Sequence, residues 1–202
     1  ELIPQIGMTN ARYMRQVVGW CSDFVQDFGK KHDNLLFTGS TGVGKTFLTN
    51  CIARELMDKY YSVIYLSASD LFEVFSRNKF DYQPEDDMKD MYRYILDCDL
   101  LIIDDLGVER NSEFALEQVY AVIDERYKAN LPLIITTNLT PKQMRSAQDV
   151  AHARIYSRVL EMCTPILLQG ADRRKSISSG KRVLAKQILF PQKEVQPNGK
   201  TE

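Results

Sequence analysis

The sequence predicts an α/β domain built on a parallel sheet covered by helices on both faces. Three observations predict it. Short apolar runs alternate with segments of helical periodicity along most of the chain. Those runs are continuous rather than alternating apolar with polar, as strands buried on both faces require. A glycine-rich turn joins the first run to the helix after it.

Val17, Val18, Cys21, Phe24, Val25 and Phe28 give residues 8–29 helical spacing. Leu35–Phe37 is a short buried strand ending at Thr38, and a helix runs from Lys45 to about Lys59. The second strand is 62–66, and Ser69 or Asp70 can cap the helix carrying Leu71, Phe72, Val74 and Phe75. Residues 76–87 lose periodicity and contain Pro84, which makes them a loop; 88–96 returns to helix. Leu100–Ile103 is the most hydrophobic strand, and Ser112 can cap the long helix through Leu116, Val119, Ile123 and Tyr127. Leu133–Thr137 is the next strand. Thr140-Pro141 opens a short helix, Asp149 or Val150 opens another through Leu160, and Pro165 leads into a last strand, 166–168. From Pro191 onward apolar content is lost and the chain reads as a disordered tail.

With 202 residues and 44% hydrophobic content, the chain has ample material for one real core. Its 26 basic and 27 acidic side chains exclude a uniformly basic nucleic-acid coat. No apolar run approaches the roughly 18–20 residues of a membrane span, and no signal peptide is visible, so a cytoplasmic protein is expected. Cysteines 21, 51, 98 and 163 form no C-x-x-C pair, and the two histidines are too few for a Cys/His zinc site. They read as ordinary thiols in a reducing compartment. The first residue is Glu1 rather than Met, with Pro4 and Gly7 close behind, which suggests a fragment lacking upstream sequence.

Gly39–Thr46 reads GSTGVGKT, a full match to G-x-x-x-x-G-K-[ST], placed after a strand and opening a helix. Such a loop turns its N–H groups inward around phosphates, and the helix dipole adds to the anion site. Gly39, Ser40, Thr41, Gly42, Val43, Gly44 and Phe47 are therefore nucleotide-binding candidates, with Lys45 reaching the β- and γ-phosphates and Thr46 ligating Mg²⁺. Leu100–Asp105 reads LLIIDD, a buried strand that delivers two carboxylates. Asp104 is the candidate for holding Mg²⁺, and Asp105 for polarising the attacking water. Asn138 ends the strand LIITTN, where open α/β sheets bind their ligands. Four arginines lie late in the chain: Arg154, Arg158, Arg173 and Arg174. They are either solvated surface or phosphate contacts, one of them reaching a neighbouring subunit's nucleotide.

In this order, GSTGVGKT, LLIIDDLG, LIITTN, ARIYSRV and GADRR resemble the AAA+ domain of bacterial helicase loaders of the DnaC/DnaI type and the related IstB transposition ATPases. The resemblance covers about residues 8–177, and its most specific part is ARIYSR followed by a strand and G-x-x-R-R. It implies a three-layer αβα P-loop NTPase with a five-stranded parallel sheet ordered 5-1-4-3-2, which puts Asn138 between the two Walker strands as sensor 1. It also implies Arg158 as an arginine finger acting in trans, with Arg154 as runner-up, and Arg174 as sensor 2 in cis, with Arg173 as runner-up. Residues 1–30 would be a linker and helix, 31–177 the ATPase core, and 178–202 a short C-terminal segment and tail. Relatives of this type have a separate N-terminal partner-binding domain, expected to be missing here. Two departures stand out: most AAA+ proteins have Glu where Asp105 stands, and little chain remains after Arg174 for a helical lid.

Residues 81–125 hold fourteen acids against three bases, whereas 172–202 hold eight bases against three acids. An acidic face of that kind repels duplex DNA. The local candidate for a single-strand contact is Arg77, Lys79, Phe80 and Tyr82, a basic stretch with aromatic platforms. The resemblance thus implies an ATP- and Mg²⁺-dependent replication protein. It would bind single-stranded DNA, self-associate through the finger and help place the replicative helicase on DNA. An IstB-like transposition helper binding duplex DNA is the alternative. A small-molecule kinase fits less well, because the second Walker acid and Asn138 favour attack by water; an inert nucleotide-binding adaptor is the remaining class.

Overall fold

The computed structural model describes residues 2–3, 8–31, 33–78, 86–107 and 113–172. Two short strands, β1 (Leu2–Ile3) and β2 (Met8–Thr9), pair antiparallel ahead of helix α1 (Asn10–Asp27). The helix starts at Asn10 rather than at the expected residue 8, because Thr9 caps it, its hydroxyl accepting the Arg12 N–H. The alternating units follow: β3 (Leu35–Thr38), α2 (Lys45–Asp58), β4 (Val63–Ser67), α3 (Ala68–Asn78), α4 (Asp86–Asp97) and β5 (Leu100–Asp104). The second half is α5 (Glu113–Lys128), β6 (Leu133–Thr137), α6 (Pro141–Arg145), α7 (Val150–Met162) and β7 (Thr164–Leu167).

The five longer strands form one parallel sheet in the order β4-β5-β6-β3-β7. Numbered along the chain and read from the other edge, this is the expected 5-1-4-3-2. Successive residues of a strand point to opposite faces, so each continuous apolar run feeds two cores. Leu36, Leu101, Ile103, Leu133 and Ile135 pack against α3, α5 and α7. Leu35, Phe37, Leu100, Ile102 and Ile134 pack against α1 and α2. Burial of this kind is worth about 25 cal/mol per Å² of apolar surface.

Several boundaries differ from expectation for local reasons. The α3 cap is Ser67 rather than Ser69 or Asp70. Its hydroxyl accepts the Asp70 N–H at 3.1 Å, and the Asp70 carboxylate accepts the Ser67 N–H at 3.2 Å. Helices α3 and α4 claim both ends of the expected loop 76–87. The last strand starts at Thr164 and includes Pro165, tolerated because β7 is an edge strand. The α6 cap forms as read, with Thr140 and Gln143 in a reciprocal capping box and Pro141 at the first helical position. The expected cap Ser112 lies outside the described residues.

One buried cation holds the far end of the sheet together. Arg126 on α5 is 0% exposed, and its guanidinium donates to the carbonyls of Ile95, Leu96, Cys98 and Pro132 at 2.7–3.1 Å. It thereby ties the end of α4 and the entry to β5 to the entry of β6. Cys21, Cys98 and Cys163 are buried free thiols and Cys51 is exposed. Burial pushes the Cys163 thiol up to about 12, so it stays protonated and inert. Among the described residues no group of three or more His, Cys, Asp or Glu could hold a metal, and no helix is long and apolar enough to cross a membrane.

Candidate functional site

Strands β3, β5 and β6 end on the same side of the sheet, and the loop after β3 curls there before α2 begins at Lys45. The curl depends on glycine. A Cβ on Gly39, at φ 144°, would meet the Leu168 carbonyl oxygen at 2.2 Å, and one on Gly42, at φ 79°, would meet Asp172 Oδ1 at 1.8 Å. The segment after β7 therefore lies against the loop, fastened by the Leu168 N–H to the Thr38 carbonyl at 2.7 Å. Tyr13 of α1 adds a hydroxyl bond to the Leu167 carbonyl at 2.6 Å.

Lys45 is 7% exposed, and its ammonium donates to the carbonyls of Gly39 (2.8 Å) and Ser40 (3.1 Å) and to Asn138 Oδ1 (2.7 Å). Asn138 in turn donates from Nδ2 to Asp105 Oδ1 at 2.7 Å. Loop cation, strand-end amide and second acid thus form one hydrogen-bonded chain. Asp105 itself takes a left-handed conformation, φ 61°, which aspartate tolerates better than most residues. Beside this chain, the Thr46 hydroxyl donates to Asp104 at 3.0 Å. A hydroxyl and a carboxylate side by side at an anion cradle suit Mg²⁺, which keeps several waters and takes its other oxygens from phosphates. These groups border a cleft of about 740 Å³.

Sequence reasoning placed Lys45, Thr46, Asp104, Asp105 and Asn138, and the structure brings all five together. Thr41, Gly42, Gly44 and Phe47 also line the cleft. Phe47 is 67% exposed and also walls an adjoining apolar recess of about 440 Å³ with Met14, Val18, Val43 and Leu48. That recess had no sequence signal, since it exists only where α1 packs beside α2. Two further residues went unnoticed. Thr136 bonds to both acids, as developed below, and in sequence reads as an ordinary strand residue. Tyr65 brings its hydroxyl from β4 to within 3.4 Å of Thr49. Burial first, and then the neighbouring Asp104 carboxylate, push Tyr65 up to about 12, so it remains a neutral hydroxyl.

Arg158 does not join the cleft. Its guanidinium meets Asp124 at 2.7 Å and Glu161 at 2.8 Å and lies 4.9 Å from the centroid of the Tyr127 ring. Lys128 above all, and Arg158 after it, hold the Asp124 carboxyl below the usual carboxylate range. Arg154, one turn earlier, stacks over Tyr120 at 4.8 Å. Arg173 and Arg174 lie outside the described residues, as do Lys79, Phe80 and Tyr82 of the candidate DNA contact.

A phosphate loop at the strand ends, with the Asn138 strand between the loop strand and the acid strand, makes this a P-loop domain of the AAA+ kind. The chain belongs to the IstB-like ATP binding protein family, whose model matches residues 15–180. It is similar to the replicative helicase loader DnaI of Bacillus subtilis (strain 168), 26% identical over 165 residues covering 76% of this chain and 52% of that protein. The chain thus spans about half the length of that curated relative. Among solved structures, a DnaI crystal structure matches with TM-score 0.63 and 29% identity over 78% of this chain and 82% of that one. A DnaC helicase loader matches with TM-score 0.65 and 25% identity, covering 78% and 90% respectively.

Proposed function

We propose that this chain is the ATPase part of a helicase-loader-type replication protein, binding ATP and Mg²⁺ in the cleft and hydrolysing ATP slowly. The observation that supports the reading is the hydrogen-bonded chain Lys45–Asn138–Asp105, whose members we read as phosphate-binding cation, γ-phosphate sensor and general base. The loop N–H groups of residues 39–46 receive the phosphates, and Lys45 exchanges Asn138 and the loop carbonyls for phosphate oxygens. Released from Lys45, Asn138 can hold the attacking water or the γ-phosphate. Asp105 accepts the proton of the water whose oxygen bonds to the γ-phosphorus, as the bond to the bridging oxygen breaks and ADP leaves. Thr46 and Asp104 would hold Mg²⁺, which would supply charge neutralisation at the phosphate oxygens. The adenine ring of the nucleotide is assigned to the recess between Met14, Val18 and Phe47. Arg174 is assigned to the phosphates in cis. In sequence it follows two positions after Asp172, whose side chain abuts Gly42 of the loop.

Arg158 is assigned to the nucleotide of a neighbouring copy, making assembly and turnover interdependent. By resemblance the partner is the replicative helicase, with single-stranded DNA as second ligand. The family match itself favours a second reading, an IstB-like helper that binds duplex DNA beside a transposase. Affinity for single-stranded against duplex DNA of one sequence separates the two.

The nucleotide site is tested by competition between ATP and a fluorescent ATP analogue. The parent should bind with one site per chain, and Lys45→Ala should bind about 30-fold more weakly, the worth of a charge-assisted hydrogen-bond set. Equal affinity in parent and variant would refute the assignment.

A further inference from the structure

Thr136 sits on β6 two residues before Asn138 and is 0% exposed. Its hydroxyl donates to Asp104 Oδ1 at 2.5 Å and accepts the Asp105 backbone N–H at 2.9 Å. Its carbonyl accepts the Leu106 N–H at 2.8 Å. The β5–β6 ladder ends at the pair Ile103↔Ile135. Beyond it, one residue of β6 takes over from the ladder and fixes three successive residues of the acidic turn. The next residue also reaches this turn, its Thr137 hydroxyl donating to the Leu106 carbonyl at 2.6 Å and accepting the Leu139 N–H at 3.1 Å, whereas the bonds to the two acids come from Thr136.

Packing alone does not call for threonine here. Valine has the same outline and a strand preference at least as good, but no hydroxyl. With valine, the Asp105 N–H would lose its acceptor at a residue already held at φ 61°. Asp104 would lose its 2.5 Å donor on Oδ1 and keep Thr46, at 3.3 Å to Oδ1 and 3.0 Å to Oδ2, beside the Tyr65 hydroxyl. Thr46 is the residue that Mg²⁺ would share with it, so Thr136, with the neighbouring Tyr65 hydroxyl, orients the carboxylate from the protein side.

We propose that Thr136 is a positioning residue for the nucleotide–metal site, its hydroxyl fixing the Asp104 carboxylate toward Thr46 and the turn that presents Asp105 to Asn138. The proposal rests on the reading that Thr46 and Asp104 hold the Mg²⁺ of bound ATP. Outer hydrogen bonds of this kind hold a ligand in its binding rotamer, and their loss commonly costs about 10–100-fold in metal affinity or activity.

The test compares the parent with Thr136→Val and Thr136→Ser, measuring affinity for a non-hydrolysable ATP analogue in EDTA and across a Mg²⁺ titration. In Thr136→Val, Mg²⁺-free affinity should stay within about twofold, while the Mg²⁺ midpoint rises about 10-fold or more. Thr136→Ser retains the hydroxyl and should return the midpoint to within about threefold of the parent. Turnover at saturating Mg²⁺ should show the loss in kcat rather than in KM for ATP. Thr136→Ala serves the same comparison should the valine variant melt below the assay temperature. An unchanged Mg²⁺ midpoint in Thr136→Val beside a Mg²⁺-dependent parent overturns the proposal alone. So does a serine variant as impaired as the valine one, or an equal loss of Mg²⁺-free binding. A parent whose nucleotide affinity ignores Mg²⁺ overturns the underlying reading of Thr46 and Asp104, and the proposal with it.

Discussion

Replacing Arg158 by alanine is expected to lower ATP turnover about 10³-fold wherever the parent assembles, because a guanidinium on the γ-phosphate is worth roughly 10³–10⁵ in phosphoryl transfer. Nucleotide affinity of the isolated chain should barely change, since Arg158 lies away from its own cleft, bonded to Asp124 and Glu161. Those bonds define what assembly must do. The guanidinium is half-sheltered and held by two carboxylates, so a neighbour's nucleotide has to offer a stronger anion than they do. Turnover per subunit should therefore rise with protein concentration in the parent and stay flat in Arg158→Ala. Arg154→Ala, which removes only a stacking contact on Tyr120, should leave the concentration dependence intact. If Arg154→Ala abolishes that dependence and Arg158→Ala preserves it, the finger assignment passes to Arg154.

Arg126→Met should destabilise the domain by about 3 kcal/mol, shifting the unfolding constant roughly 150-fold. Methionine fills much of the same space, but the carbonyls of Ile95, Leu96, Cys98 and Pro132 lose their donor. Their orphaning, inside a contact that joins α4, β5 and β6, is the source of the cost. The melting temperature should fall by about 6–12 °C for a chain of this size. Arg126→Lys should recover part of it, having one cationic donor but not the planar fork. Circular dichroism melts of the three proteins check this, and a methionine variant that melts with the parent would contradict the role given to Arg126.

Much of this architecture was legible because its signals are local. GSTGVGKT, LLIIDD and LIITTN each carry apolar pattern and chemistry within a few residues, so their strands and polar ends follow from sequence, whereas the order of the strands was implied by the family resemblance. Ser67 was passed over as the α3 cap because strand and helix join with no loop between them: the expected strand stopped at residue 66, whereas Ser67 both ends β4 and caps α3. The recess beside Phe47 was illegible for another reason: Met14 and Val18 lie about thirty residues from the loop and meet it only through helix packing. Thr136 and Arg126 were equally silent. A threonine in a strand and an arginine on a helix look ordinary until the register puts one beside two acids and buries the other among carbonyls.

We propose ATP binding and hydrolysis in the cleft where Lys45, Asn138 and Asp105 meet. The most direct test is to measure nucleotide affinity and ATP turnover together, in the parent and in Asp105→Asn, with Mg²⁺ and single-stranded DNA present. The asparagine variant should bind ATP as the parent does and lose about 10²-fold or more in turnover, as removal of a general base predicts. Turnover that survives the substitution undiminished, or a parent that binds no ATP, would contradict it.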